Sequence, residues 1–178
     1  MKEIRFAGTG GQGILLAGNI LAEAIAVYEG RNVARNTAYG GQVRGGASRC
    51  EVLIAENNEE IDFPQVLCAD ILVAMSPEAV DVFVNEVKPE GLILLDTTMV
   101  PNKPDVSCRV VGIKATEIAD NTLGQIQTAN MVVLGALVAL TDMVSIESIE
   151  KTLKEKVPPK TIDTNLEAFR LGMKAVNR

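Results

Sequence analysis

The chain contains no histidine and no tryptophan. Without histidine there is no Ser-His-Asp triad, no imidazole general base and no ligand for most zinc or non-haem iron sites. Any chemistry carried out around this protein must draw its reactive groups from elsewhere. Aromatic residues make up only 3% of the sequence, too few to build stacking platforms for bases. There is no run of lysine or arginine, and the formal charge is −6, so nucleic acid is not an expected partner. The three cysteines, Cys50, Cys68 and Cys108, stand far apart and form no C-x-x-C pair. That spacing argues against an iron–sulfur or zinc site made by this chain. They read instead as small apolar residues in a reduced, cytoplasmic compartment. Long apolar runs are also missing. The longest candidate, MVVLGALVAL, has ten residues, about half a membrane span. Lys2, Glu3 and Arg5 interrupt the start, where a secretory signal would need an apolar core. The expectation is a cytoplasmic protein with no membrane partner.

What is present is an alternation of short apolar runs and helical patterns. KEIRFAG, NVARNTA, CEVLIA, DILVAM, LILLD and VSCRVVGI have strand length. Between and after them lie helical segments. ILLAGNILAEAIAVYEG sets Leu16, Ile20, Ala24 and Val27 on one face, with Gly30 as its stop. Ser76-Pro77-Glu78 is a cap, a first-turn proline and a first-turn acid, and opens a helix expected to run towards Pro89 and Gly91. TEIADNTL, TANMVVLGALVALTDM, SIESIEKTLKEKV and a last segment from Thr164 to Asn177 are helical, Thr164 and Glu167 having capping-box spacing. At 178 residues the chain suits one domain, 1–178. The fold class expected is α/β, a three-layer Rossmann-like domain with a mostly parallel sheet and a helical C-terminal part.

Two glycine-rich segments carry the functional signal. GTGGQG follows the first strand and places Gly8, Gly10 and Gly13 in G-x-G-x-x-G spacing, with Gly11 and Gln12 between. Glycines permit positive φ and close backbone approach, so amides at the following helix start can face a phosphate, a carboxylate or a partner's backbone. A dinucleotide site would also need an acid at the end of the second strand. Arg35, Asn36 and Thr37 stand there instead, and Glu29 comes too early. The second segment, YGGQVRGGASR, surrounds Arg44 with glycines, including Gly45 and Gly46. Arginine offers a planar fork for phosphate or carboxylate. Both segments fall near strand ends, where open α/β sheets bind ligands. Taken on residues alone, three readings stay open: a composite ligand site, a stand-alone dinucleotide-binding oxidoreductase, or a ligand-free assembly module.

GTGGQGILLAGNILAEA, YGGQVRGGASRCEVLIA, TANMVVLGALVAL and NLEAFRLG, in this order and spacing, resemble the gamma subunit of 2-oxoacid:ferredoxin oxidoreductases over nearly the whole chain. Among these the chain is most similar to the 2-oxoglutarate synthase type, with pyruvate and branched-chain types close behind. The resemblance implies a subunit inactive alone. In its complex a 2-oxoacid, 2-oxoglutarate or pyruvate, is decarboxylated on thiamine diphosphate, electrons pass through iron–sulfur clusters to ferredoxin, and an acyl-coenzyme A is released. The thiamine diphosphate and cluster sites are implied to lie on alpha, beta and possibly delta (ferredoxin-like) partner subunits, and this chain to help place coenzyme A. Carried over residue by residue, Gly8, Gly10, Gly11, Gln12 and Gly13 match the family's first loop, and Arg44, Gly45, Gly46 and Ser48 its second. Asn130 matches as well, and reads as a helix-start hydrogen bond. No residue is assigned catalysis and none a metal. Two departures stand out: Gln42 occupies a place where many members carry glutamate, and Ala55-Glu56 stands where many show Ser-Asp.

Overall fold

The computed structural model describes residues 1–39, 47–56 and 60–176. Six strands form one sheet: β1 (Lys2–Gly8), β2 (Val33–Ala38), β3 (Ser48–Ile54), β4 (Ala69–Ala74), β5 (Val87–Asp96) and β6 (Arg109–Ile113), in the spatial order β2-β3-β1-β4-β5-β6. The pairs β1/β4, β4/β5 and β5/β6 are parallel, while β3 runs antiparallel to both β1 and β2. Among the described residues, five strands therefore point one way and β3 opposes them. The mostly parallel sheet expected from the sequence is found.

Among the described residues, six α-helices accompany the sheet: α1 (Ile14–Glu23), α2 (Pro77–Phe83), α3 (Ala115–Leu123), α4 (Ala129–Thr141), α5 (Ile146–Lys156) and α6 (Ile162–Val176). Alternation along the strands sorts the two faces. Ile4 and Phe6 of β1, Cys50 and Val52 of β3, and Ile71 and Val73 of β4 join a core with α1, α3, α4, α5 and α6. Ala7, Leu72, Ala74, Ile93 and Leu95 face the other way, onto Ala79, Val80 and Phe83 of α2. Each large aliphatic or aromatic side chain buried here contributes about 1.5–3 kcal/mol. The result is three unequal layers, with the helical C-terminal part massed on one face.

α4 is buried along its whole first ten residues, Ala129–Val138. That explains why the run is apolar all round yet short. It crosses α6 at very close range. A Cβ added at Gly135 would lie 1.9 Å from the Phe169 carbonyl oxygen, and one at Gly172 would lie 1.8 Å from that of Val132. The two backbones touch through their glycines.

Several local expectations need correction. Val27 is 61% exposed and does not share the buried face of Ile20 and Ala24. A π-helical turn, Ala24–Tyr28, widens the end of α1 and rotates Val27 outward; Gly30 then stops it at φ +65°. The helix capped by Ser76 ends at Phe83, with a 3₁₀ turn to Glu86, and does not reach Pro89. Pro89 and Gly91 instead lie inside β5, where the β4/β5 register shifts between Ala69 and Ile71. An irregular ladder tolerates a residue that cannot donate. β6 starts at Arg109, later than the VSCRVVGI pattern suggested. α6 starts at Ile162, so Thr164 and Glu167 lie inside the helix and form no capping box at its start. Pro159 and a short 3₁₀ turn, Pro159–Thr161, lead into it instead.

Candidate functional site

The first glycine segment links β1 to α1 at the edge of the sheet where the parallel strands end. Its shape is locked by side chains that point inward. Gln12 Oε1 accepts from the Thr9 N–H at 2.8 Å, and its Nε2 donates to the Met75 carbonyl at 2.7 Å. Met75 in turn donates its N–H to the Ala7 carbonyl at 2.9 Å. The Gln12 carboxamide thus ties the turn to the end of β4.

From the other side, Asn130 Nδ2 donates to the Gly13 carbonyl at 3.1 Å, while its Oδ1 accepts from the Met131 N–H at 2.9 Å. The helix-start bond expected of Asn130 is present. The bond to Gly13 adds a role that no local pattern announced.

The glycines divide by what they permit. Gly8 has no room for a Cβ, which would meet Gln12 Oε1 at 2.5 Å, and Gly13 has φ +72° and Asn130 at 2.3 Å. Gly11 has φ +88° with open space around it. Gly10 is different again: nothing lies within 4 Å of its added Cβ and its φ is not positive. Neither packing nor backbone strain requires a glycine there. No side chain caps the start of α1, and no acid lies in its first turn.

Above the turn is a cavity of about 460 Å³ lined by Thr9, Gly10, Gly11, Gly13, Ile14, Leu15, Leu16, Tyr39 and Ser48. It is a strip of backbone bordered by aliphatic side chains and the 58% exposed Tyr39. Gly8 pairs with Ser48 across the β1/β3 ladder. The ends of the second glycine segment, Tyr39 and Ser48, therefore stand at the lip of the first. Arg44, Gly45 and Gly46, like Gln42, lie outside the described residues. Gly8, Gly10, Gly11, Gln12 and Gly13 are brought together by the turn.

A second cavity, about 580 Å³, shares Leu16 with the first and opens between the starts of α4 and α6. Of the residues there, the sequence marks Asn130 only as a helix-start bond and Thr164 only as a cap, and does not single out Lys160. Lys160, Thr164 and Asn165 form no motif, and only the meeting of two helices collects them. Another cavity, about 620 Å³, lies around Glu29, Asp142 and Met143 at the far end of α4. Asn130 and Asp142 are about 18 Å apart along the helix, so it plays no part at the glycine turn.

Behind α1, Cys50 packs against Gly18, and burial pushes its thiol up to about 11, partly offset by Arg35. It is an inert thiol at neutral pH. Cys68 is exposed and Cys108 half-buried. Among the described residues no group of three or more Cys, His, Asp or Glu is placed to hold a metal ion. None of the helices there is long and apolar enough to cross a membrane.

On the opposite face, beneath α2, Arg5 and Glu51 form a buried pair. Arg5 Nε donates to Glu51 Oε1 at 3.0 Å, and its other nitrogens reach Glu86 and the Val66 carbonyl. The guanidinium stacks 4.6 Å from the Phe83 ring centroid. Every Arg5 nitrogen is engaged, so this group holds the fold and offers nothing to a ligand.

Residues 3–175 match the family of pyruvate ferredoxin/flavodoxin oxidoreductases. The chain is 43% identical over 173 residues to the 2-oxoglutarate synthase subunit KorC of Methanocaldococcus jannaschii, covering 96% of this chain and 91% of that one. It is similar to the crystal structure of a keto/oxoacid ferredoxin oxidoreductase gamma subunit from Geobacter sulfurreducens, with a TM-score of 0.88, 36% identity and 99% coverage of both chains. Its fold also recurs in the 2-oxoglutarate:ferredoxin oxidoreductase of Magnetococcus marinus, solved with 2-oxoglutarate, coenzyme A and succinyl-CoA bound. There the TM-score is 0.86 at 24% identity, and this chain spans 31% of that one.

Proposed function

Since the chain belongs to the pyruvate ferredoxin/flavodoxin oxidoreductase family and is of its gamma-subunit type, we propose that its glycine-turn edge is the wall against which coenzyme A is held in the assembled enzyme. The observation that carries this is Gly10. The fold makes no demand for glycine there, yet its bare backbone forms the floor of a cavity bordered by Leu15, Leu16 and Tyr39. A bare backbone offers amides to a ligand at close approach, and the aliphatic border suits the pantetheine arm. Arg44, in the segment that leaves from Tyr39, supplies positive charge to a phosphate.

The 2-oxoacid is 2-oxoglutarate, in keeping with the 43% identity to a 2-oxoglutarate synthase subunit. In the complex, thiamine diphosphate supplies the carbanion chemistry of decarboxylation, and iron–sulfur clusters carry the two electrons to ferredoxin. We assign both to alpha, beta and delta-type partners, as the family resemblance implies; the widely separated cysteines of this chain agree with that for the clusters. Its own residues bind and orient: Gln12 and Asn130 hold the turn rigid, and the turn presents the backbone. The compartment is the cytoplasm.

The test is anaerobic co-expression with the partner subunits, native mass spectrometry of the assembly, and steady-state assay with a panel of 2-oxoacids. Gly10→Val is expected to leave assembly intact and raise the Michaelis constant for coenzyme A, because its side chain would stand in the cavity. Arg44→Ala should cost about 1.5–3 kcal/mol of coenzyme A affinity. If Arg44→Ala breaks the assembly and coenzyme A dependence stays as it was, the segment is a docking element and the ligand role falls.

A further inference from the structure

The cavity at the starts of α4 and α6 has no role in what precedes. It adjoins the glycine-turn cavity at Leu16, which lines both. The two differ in chemistry. Over the glycine turn the border is aliphatic. The neighbouring cleft presents polar side chains, Gln127, Thr164 and Asn165, and one cation, Lys160, beside an apolar wall of Val157 and Pro158. Lys160 is exposed and makes no ion pair among the described residues, and Asp163, the acid of the first turn of α6, is not among the residues lining the cleft. Asn165, by contrast, is 8% exposed and held in place, its Nδ2 donating to the Thr161 carbonyl at 2.8 Å. Asn165 is thus fixed in the wall, and Lys160 is exposed beside it. Asn130 stands between the two spaces: it lines the cleft and holds Gly13.

An aliphatic-bordered strip beside a polar cleft, whose one lysine makes no ion pair among the described residues, fits an elongated ligand with an apolar arm and an anionic head. We infer that this cleft seats the nucleotide end of coenzyme A, with Lys160 on the ribose 3′-phosphate and Val157 and Pro158 against the base. This rests on the reading of the glycine turn as the coenzyme A wall. Coenzyme A carries phosphate at two places, the diphosphate and the 3′-position. Arg44 and Lys160 therefore serve different groups.

Dephospho-coenzyme A, which lacks only the 3′-phosphate, is the discriminating probe. In the assembled complex, Lys160→Ala should raise the Michaelis constant for coenzyme A about tenfold or more, the loss of one charge-assisted contact. It should leave kcat unchanged and the constant for dephospho-coenzyme A unchanged. Lys160→Arg should retain most of the preference for coenzyme A. Added salt should narrow the gap between wild type and Lys160→Ala. An equal rise for both acceptors, or no rise for either, overturns the assignment. So does loss of assembly by native mass spectrometry, which would make the cleft a docking surface. Gly10→Val, assayed alongside, separates the two readings. If it weakens both acceptors while Lys160→Ala weakens neither, the glycine-turn reading stands and the cleft is not the nucleotide seat. If neither variant has an effect, both fail.

Discussion

Asn130 Nδ2 lies 3.1 Å from the carbonyl oxygen of Gly13, 117 residues earlier in the chain, and an added Cβ on Gly13 would fall 2.3 Å from that same nitrogen. The carbonyl also accepts the first hydrogen bond of α1, from the Ala17 N–H at 3.1 Å. One oxygen thus fastens the start of α1 to the start of α4. Asn130→Ala should destabilise by about 1–3 kcal/mol, because it leaves the bond unmade in a buried place. Gly13→Ala should cost more, since it meets both the asparagine and a left-handed φ. In the double variant the clash is relieved and the φ penalty remains. Urea unfolding of the four proteins should therefore give a favourable coupling between the two changes, and strict additivity would refute the contact.

The α4–α6 crossing makes a second prediction. Gly135→Ala and Gly172→Ala each push a methyl group into a facing backbone carbonyl, which cannot move as a side chain can. Each should destabilise by about 3 kcal/mol or more. Because Asn130 and Asn165 sit at the starts of these helices, the loss should reach the site as faster amide exchange in the glycine turn. Thermal melts with hydrogen exchange would check both; a variant that melts like the parent would show that the helices can separate without harm.

Beneath α2, Glu51 is 0% exposed and accepts from Arg5 Nε and from Asn36 Nδ2 at 3.2 Å, with Arg49 Nε 3.6 Å away. Glu51→Gln removes the buried negative charge beside Arg5 and Arg49 and leaves the half-exposed Glu86 as the remaining carboxylate partner of Arg5, an expected loss of about 3–5 kcal/mol. Replacing the pair by apolar residues, Arg5→Met with Glu51→Leu, should lose far less, since the fully buried guanidinium goes with its carboxylate and only the partly exposed Arg49 loses a more distant partner. Denaturant unfolding of both variants is the measurement. Equal losses would mean the pair is held for packing and not for charge.

Cys50 links fold to pH. Its folded pKa of about 11 lies above the ordinary 9.0, so below pH 9 both the folded and unfolded chains keep the proton and stability is unaffected. As pH rises from 9 to 11 only the unfolded chain ionises, and stability falls by an amount that reaches about 3 kcal/mol. The difference in stability between wild type and Cys50→Ala should shrink across that window. At pH 8 a thiol reagent should label Cys68 at once and Cys50 only on unfolding. Rapid labelling of Cys50 in the folded protein would contradict its burial.

The glycine turn, the serine cap at Ser76, the presence of the six strands and the largely parallel sheet were legible in the residues. Each depends on forces acting over a few positions: a φ only glycine adopts, an N–H that a nearby hydroxyl can reach, an apolar face repeated every second residue. The same local logic misplaced Val27, Pro89 and Thr164. A π-helical turn, a shift of strand register and a 3₁₀ entry to α6 each arise from packing that the local pattern does not contain.

What the sequence by itself determined is the class of fold, the two glycine segments and the family to which they belong. What only the tertiary structure decided is which residues stand together at the site. The Gln12 carboxamide is spent on Met75, Asn130 closes on Gly13, and Leu16 borders both the glycine cavity and the cleft of Lys160. These partners lie tens of residues apart or more. Their meeting depends on how α4 and α6 pack through Gly135 and Gly172, and close packing of that kind is a property of the whole chain.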